Sequence, residues 1–215
     1  MNDVKAALFD LDGVVLDTES QYTVFYTQIG REFHPEVPDF AFRIKGMTLT
    51  QIYDAWFACQ PELQAQLTRR LYDFEANMQY GYIRGFEDFI RQLRGAGIKT
   101  AIVTSSNDAK MQSVFRSCPE LPTLFDRILT SKDYAASKPA PDCYLTAARL
   151  FGVAPAECVV FEDSINGLKS GKASGAFVVG LTTTNPAEAV APLADLTVAD
   201  FTQIEFNGRY VQTVG

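Results

Sequence analysis

The chain has 215 residues, of which 47% are hydrophobic and 21% charged, and its formal net charge is −7 at pH 7. These values fit one medium soluble domain, or one domain with an insertion, and the acidic balance argues against a nucleic-acid backbone as partner. No apolar run approaches the roughly 18 residues that a membrane span needs, and the single histidine, His34, excludes a zinc site built on histidines.

The N-terminus enters a strand pattern within a few residues, with no signal-peptide layout. The four cysteines, Cys59, Cys118, Cys143 and Cys158, are scattered and form no CxxC pair. Reduced thiols and a cytoplasmic location are the expectation.

The first predicted strand, Ala6 to Phe9, runs directly into Asp10-Leu11-Asp12-Gly13-Val14-Val15-Leu16-Asp17. Residues i and i+2 of an extended segment point the same way, so Asp10 and Asp12 share one small space. Like charges so close raise each other's pKa unless a cation sits between them. The pair therefore asks for a divalent metal, a protonated acid, or both. The plainer alternative is a strand followed by an Asx-rich turn.

Residues 18–82 show helical spacing, many aromatics and no strand pattern. They are expected to form an all-helical cap that leaves and re-enters at the carboxyl end of the first strand. That divides the chain into a core, 1–17 and 83–215, and a cap, 18–82. Trp56 and the Phe and Tyr positions are expected in the cap core, none of them on substrate. Lys45-Gly46-Met47-Thr48 reads equally as a basic helix end with a glycine cap or as a substrate contact.

Beyond the cap, further strand-length apolar runs appear at Thr100 to Val103, Arg127 to Leu129, Cys158 to Phe161, Ala176 to Leu181 and Leu196 to Val198. Amphipathic stretches lie between most of them, such as Phe86, Phe89, Ile90 and Leu93. Strands alternating with helices give an α/β fold with a doubly wound, mainly parallel sheet. Continuous apolar strands fit a sheet covered on both faces. Residues 207–215 read equally as a loose tail or a short extra element.

Polar residues appear where the strands stop: Asp10, then Thr104-Ser105-Ser106-Asn107, then Lys138 in a Pro-flanked loop, then Glu162-Asp163-Ser164. Ligands of open α/β sheets bind at such carboxyl ends. The parts fit phosphoryl transfer to a carboxylate. Asp10 and Asp163, with the Asp12 backbone carbonyl and Glu162 directly or through water, can offer oxygens to Mg2+. Thr104, Ser105, Ser106 and Asn107 can offer hydroxyls and N–H groups to phosphate, and Lys138 a point charge. Asp10 is left to attack phosphorus, and Asp12 to act as acid and then base.

These motifs occur together in the order found in the haloacid dehalogenase superfamily, and the chain resembles its β-phosphoglucomutase-like branch over nearly the whole length. The resemblance rests on Asp10 to Glu19, Thr104, Lys138 within Ser-Lys-Pro-Ala-Pro-Asp, and Phe161-Glu162-Asp163-Ser164-x-x-Gly167. It implies Asp10 as nucleophile, Asp12 as acid/base, Thr104 and Lys138 as phosphate binders, and Glu162 with Asp163 at the metal end. Lys45 and Gly46 match a substrate-contacting cap segment of the mutases. Two positions depart from the mutase pattern: Tyr22 stands where a histidine is expected, and Leu49 where an arginine clamps a second phosphate. Hydrolysis of a small phosphorylated metabolite, such as a sugar or polyol phosphate, by a monomer is therefore expected over isomerisation. A phosphomutase, a dehalogenase and a non-catalytic binding module remain as alternatives.

Overall fold

The apolar runs pair into one parallel sheet. The computed structural model describes residues 3–214. Its strands are β1 (Ala6–Phe9), β2 (Lys99–Val103), β3 (Arg127–Leu129), β4 (Cys158–Glu162), β5 (Phe177–Leu181) and β6 (Leu196–Val198). Their order across the sheet is β3-β2-β1-β4-β5-β6, with parallel pairing throughout. The chain runs one way from β1 to β3 and then crosses to the other side of β1 at β4. This reversal opens a crevice between the carboxyl ends of β1 and β4, where such sheets bind ligands.

Strand periodicity explains why the runs are continuous rather than alternating. Ala7 and Phe9 face one hydrophobic cluster, and Ala6 and Leu8 face the other, so β1 is buried on both sides. Phe9 and Phe161 are register partners, and their rings stack with centroids 4.5 Å apart.

Four helices separate β1 from the rest: α1 (Glu19–Phe33), α2 (Phe40–Arg43), α3 (Leu49–Trp56) and α4 (Pro61–Ala76). They enclose their own core, with Phe25, Ile29, Phe40, Phe57 and Leu67 among its buried members. Phe42 departs from the expected pattern and points to solvent, 64% exposed. The core helices follow as α5 (Phe86–Gly95), α6 (Asp108–Ser117), α7 (Asp142–Phe151), α8 (Ile165–Ser174) and the short α9 (Ala187–Val190). Phe86, Phe89, Ile90 and Leu93 of α5 are all buried, as their i, i+3, i+4, i+7 spacing requires.

The C-terminal segment is not a loose tail. β7 (Ile204–Phe206) and β8 (Val211–Thr213) form an antiparallel hairpin packed on α5, and the Val4 N–H donates to the Arg209 carbonyl at 2.7 Å. Cys118, Cys143 and Cys158 are buried and Cys59 is exposed, all as free thiols. No helix is long and apolar enough to cross a membrane among the described residues.

Candidate active site

The carboxyl ends of β1, β2 and β4, with the loop after β3, bring the predicted residues around one cavity of about 190 Å³, except Glu162, which is wholly buried behind its wall. The Asp10 N–H extends the strand ladder by donating to the Phe161 carbonyl at 3.0 Å, which sets Asp10 beside Glu162. Lys138 arrives from the loop after β3 and links them. Its buried Nζ donates to Asp10 Oδ1 at 2.6 Å, to Glu162 Oε1 at 2.6 Å and to the Val103 carbonyl at 3.1 Å. Burial opposes the Lys138 charge, but the Asp10 and Glu162 carboxylates outweigh it and hold the ammonium well above its ordinary pKa.

Glu162 is wholly buried. Its Oε1 also accepts from the Tyr144 hydroxyl at 2.7 Å, and its Oε2 accepts from the Ser164 hydroxyl at 3.2 Å and the Asp163 N–H at 3.1 Å. The carboxylate lies directly against the Cα of Gly167, where an added Cβ would stand 1.9 Å from Glu162 Cδ. The glycine of this motif is therefore a matter of space.

Asp163 has a similar neighbour. Gly13 turns back with φ +75, and a Cβ there would stand 2.0 Å from Asp163 Oδ2. Only glycine allows both the left-handed turn and this approach. Asp163 Oδ2 accepts from the Thr184 hydroxyl, and its carbonyl accepts from Asn185 Nδ2 at 2.9 Å.

Asp10, Glu162 and Asp163 each offer one carboxylate oxygen, all within 4.8 Å of one another. Burial pushes the Asp10 carboxyl up to about 7; Lys138 opposes this, while Glu162 and Asp12 add to it. Burial, with Glu162, Glu19 and Asp10, holds Asp163 well above the usual range. An all-oxygen set of crowded acids fits a hard divalent cation, which would relieve the repulsion. The Asp12 side chain stands outside this set. The Asp12 backbone carbonyl accepts no hydrogen bond among the described residues.

The Asp12 carboxylate is held elsewhere. Oδ1 accepts from the Thr18 hydroxyl at 2.6 Å; Oδ2 accepts from the Ser106 hydroxyl at 3.3 Å and from Lys110 Nζ. Lys110, on α6, is 4% exposed and lies 4.6 Å from the centre of the Tyr22 ring. The Tyr22 hydroxyl in turn donates to Glu75 Oε1 at 2.8 Å.

Thr104 is buried and its hydroxyl accepts from the Ser106 N–H at 3.1 Å. Asn107 caps α6 by accepting from the Lys110 N–H at 3.0 Å, so its side chain serves the helix as well as lining the cavity. The N–H groups of Leu11, Asp12 and Ser105 donate to no acceptor among the described residues. Unpaired donors at strand ends suit an anion.

Lys45 and Gly46 also reach the cavity. Lys45 Nζ donates to the Thr184 carbonyl at 3.3 Å and lies 3.7 Å from Glu19 Oε2, while the Gly46 carbonyl accepts from Asn166 Nδ2 on α8 at 3.0 Å. Tyr22 and Tyr26, expected wholly in the helical core, line the cavity as well. His34 does not: its ring packs against Phe40, Trp56 and Phe57. Sequence reasoning missed Lys110, Glu19, Glu75 and Thr184. Thr184 had a signal, because Thr182-Thr183-Thr184-Asn185 follows an apolar strand as the other motifs do.

A family model described as haloacid dehalogenase-like hydrolase matches residues 4–175. In sequence the chain is 27% identical to a validoxylamine A 7'-phosphate phosphatase of Streptomyces hygroscopicus subsp. limoneus, over 94% of this chain and 96% of that protein. It is also 27% identical to a β-phosphoglucomutase of Bacillus subtilis (strain 168), over 83% of each. In structure it is similar to a HAD hydrolase of family IA, variant 3, from Entamoeba histolytica HM-1:IMSS, with a TM-score of 0.82, 21% identity and coverage of 95% and 97%.

Proposed function

Given that the chain belongs to the haloacid dehalogenase-like hydrolases, in the branch that includes β-phosphoglucomutase, we propose that this phosphohydrolase is a magnesium-dependent phosphatase of small sugar or polyol phosphates working through an aspartyl phosphate on Asp10. The observation that carries the proposal is Lys138 Nζ, bonded at 2.6 Å to Asp10 in the cavity wall and at 2.6 Å to the buried Glu162 behind it. That bond orients Asp10 and leaves a fixed positive charge beside the place where phosphate must sit.

The contacts support the following roles. Asp10 bonds to phosphorus as the bond to the alcohol oxygen breaks, and the departing alkoxide takes a proton from Asp12. Water then gives a proton to Asp12 and bonds to phosphorus, and the bond to Asp10 breaks to release inorganic phosphate. Asp12, held as an acceptor by Thr18, Ser106 and Lys110, is arranged for the second half-reaction; the first requires it to part from Lys110. Thr104, Ser105, Ser106 and the Asp12 N–H hold the phosphate oxygens. Asp10, Asp163, the Asp12 carbonyl and Glu162 are the residues for Mg2+. When bound, the ion would neutralise charge on the transferring group. The helical segment 18–82 acts as a cap, and Lys45-Gly46 seated on α8 closes the cavity against water.

No arginine lines the cavity among the described residues, and Leu49 stands on its helical side. Without a second anion clamp, hydrolysis is favoured over bisphosphate-dependent isomerisation. The test is phosphate release from a panel of sugar and polyol phosphates with magnesium and with chelator. Magnesium-dependent release supports the proposal; conversion of β-glucose 1-phosphate to glucose 6-phosphate faster than phosphate release overturns it.

A further inference from the structure

The helical segment lines one side of the cavity with Glu19, Tyr22, Tyr26, Lys45, Ile52 and Glu75. In a phosphatase with Asp10 as nucleophile, this helical side faces the alcohol part of the ester, and the role assigned to it rests on that reading. The charges here are unevenly matched. Lys45 lies 3.7 Å from Glu19, and Lys110 is taken by Asp12. Glu75 forms an ion pair with no cation among the described residues.

Glu75 is only 6% exposed, yet it lines the cavity. Its Oε1 accepts from the Tyr22 hydroxyl at 2.8 Å, which holds that oxygen in place. Its Oε2 accepts no hydrogen bond among the described residues. A carboxylate oxygen in a buried cavity is costly unless some donor reaches it. The protein supplies none, and the cavity opens beside it.

We infer that Glu75 is the specificity residue for the leaving group. It accepts a hydrogen bond from a hydroxyl or ammonium group on the alcohol part of the substrate, and it disfavours any ester carrying a second phosphate at that end. Tyr22 acts as a positioning residue, holding Glu75 towards the cavity. The repulsion of a second phosphate by Glu75 complements the missing anion clamp at Leu49.

The test uses the full chain with magnesium and four probes: glycerol 3-phosphate (hydroxyls), 2-aminoethyl phosphate (ammonium), n-butyl phosphate (no donor) and fructose 1,6-bisphosphate (second phosphate). The wild type is expected to favour at least one donor-bearing ester over butyl phosphate by about tenfold or more in kcat/KM, as a site built around a polar group does. Glu75→Leu is expected to erase that ratio. Glu75→Gln keeps the side-chain shape and the Tyr22 bond. It is expected to raise the bisphosphate relative to butyl phosphate by about tenfold, since one negative charge is removed. Among the donor-bearing esters, loss of the ammonium ester alone in Glu75→Gln identifies an amine as the source; retention of the glycerol ester identifies a hydroxyl. Ratios unchanged in both variants overturn the Glu75 subsite while leaving the phosphatase reading intact. A wild type that hydrolyses none of the four overturns the subsite, while the phosphatase reading falls only if the sugar and polyol phosphate panel also fails.

Discussion

Lys110 and Asp12, 98 positions apart in the chain, form an ion pair in which the Lys110 side chain is 5% exposed and the Asp12 side chain 17%. The same ammonium lies against Tyr22, so one cation joins the acid of the first motif to the helical segment above it.

Replacing Lys110 tests that link. Lys110→Met leaves Asp12 with its two hydroxyl donors and no counter-charge. Removing one partner of a buried pair costs up to about 3–5 kcal/mol, and the partial exposure of Asp12 places the expected loss below that range. Turnover is expected to fall about tenfold or more, since Asp12 loses its orientation. Thermal unfolding and kcat, compared with Lys110→Arg, check both effects; wild-type kcat in Lys110→Met contradicts the role.

Gly167→Ala should act on Lys138 without touching it. The new methyl would stand 1.9 Å from the Glu162 carboxylate, which must move and release Lys138. Overpacking of this kind costs about 1–3 kcal/mol. A lower Tm together with a lower kcat is expected. A shift in Tm with unchanged kcat would mean that Glu162 does not hold Lys138 for function.

Metal affinity should depend on pH. Asp10, pushed up to about 7, keeps its proton below that pH and must lose it to become a ligand. Because the folded-state value is raised, the proton competes with the cation on the acidic side. Because Asp163 is raised as well, magnesium binding is expected to weaken by about tenfold or more for each unit below pH 7. Calorimetric titration at pH 6 and pH 8 checks this, and equal affinities contradict it.

Legibility followed burial. The strands of the sheet were readable because residues such as Ala6 to Phe9 are covered on both faces and so form unbroken apolar runs. The candidate site was legible where it sits at strand ends, because polarity changes abruptly there: Asp10, Thr104 and Glu162 each interrupt or follow such a run. The β7–β8 hairpin was not readable. Its three-residue strands show little alternation, and the turn signal in Asn207-Gly208 stood without strand patterns long enough to frame it. Lys110 and Glu75 were hidden for another reason. Each is an ordinary charged residue on a helix, and only the packing of α4 and α6 around Tyr22 gives it a role.

Asp10 as carrier of the phosphoryl group is open to direct measurement. Borohydride trapping during turnover with magnesium, followed by peptide mass spectrometry, reads the site of attachment, with Asp10→Asn as control. Reduction of residue 10 to homoserine is expected in the wild type, dependent on substrate, with a loss of turnover of about 10³-fold or more in Asp10→Asn. A trapped residue elsewhere in the chain, or an Asp10→Asn variant that turns over at the wild-type rate, contradicts the assignment.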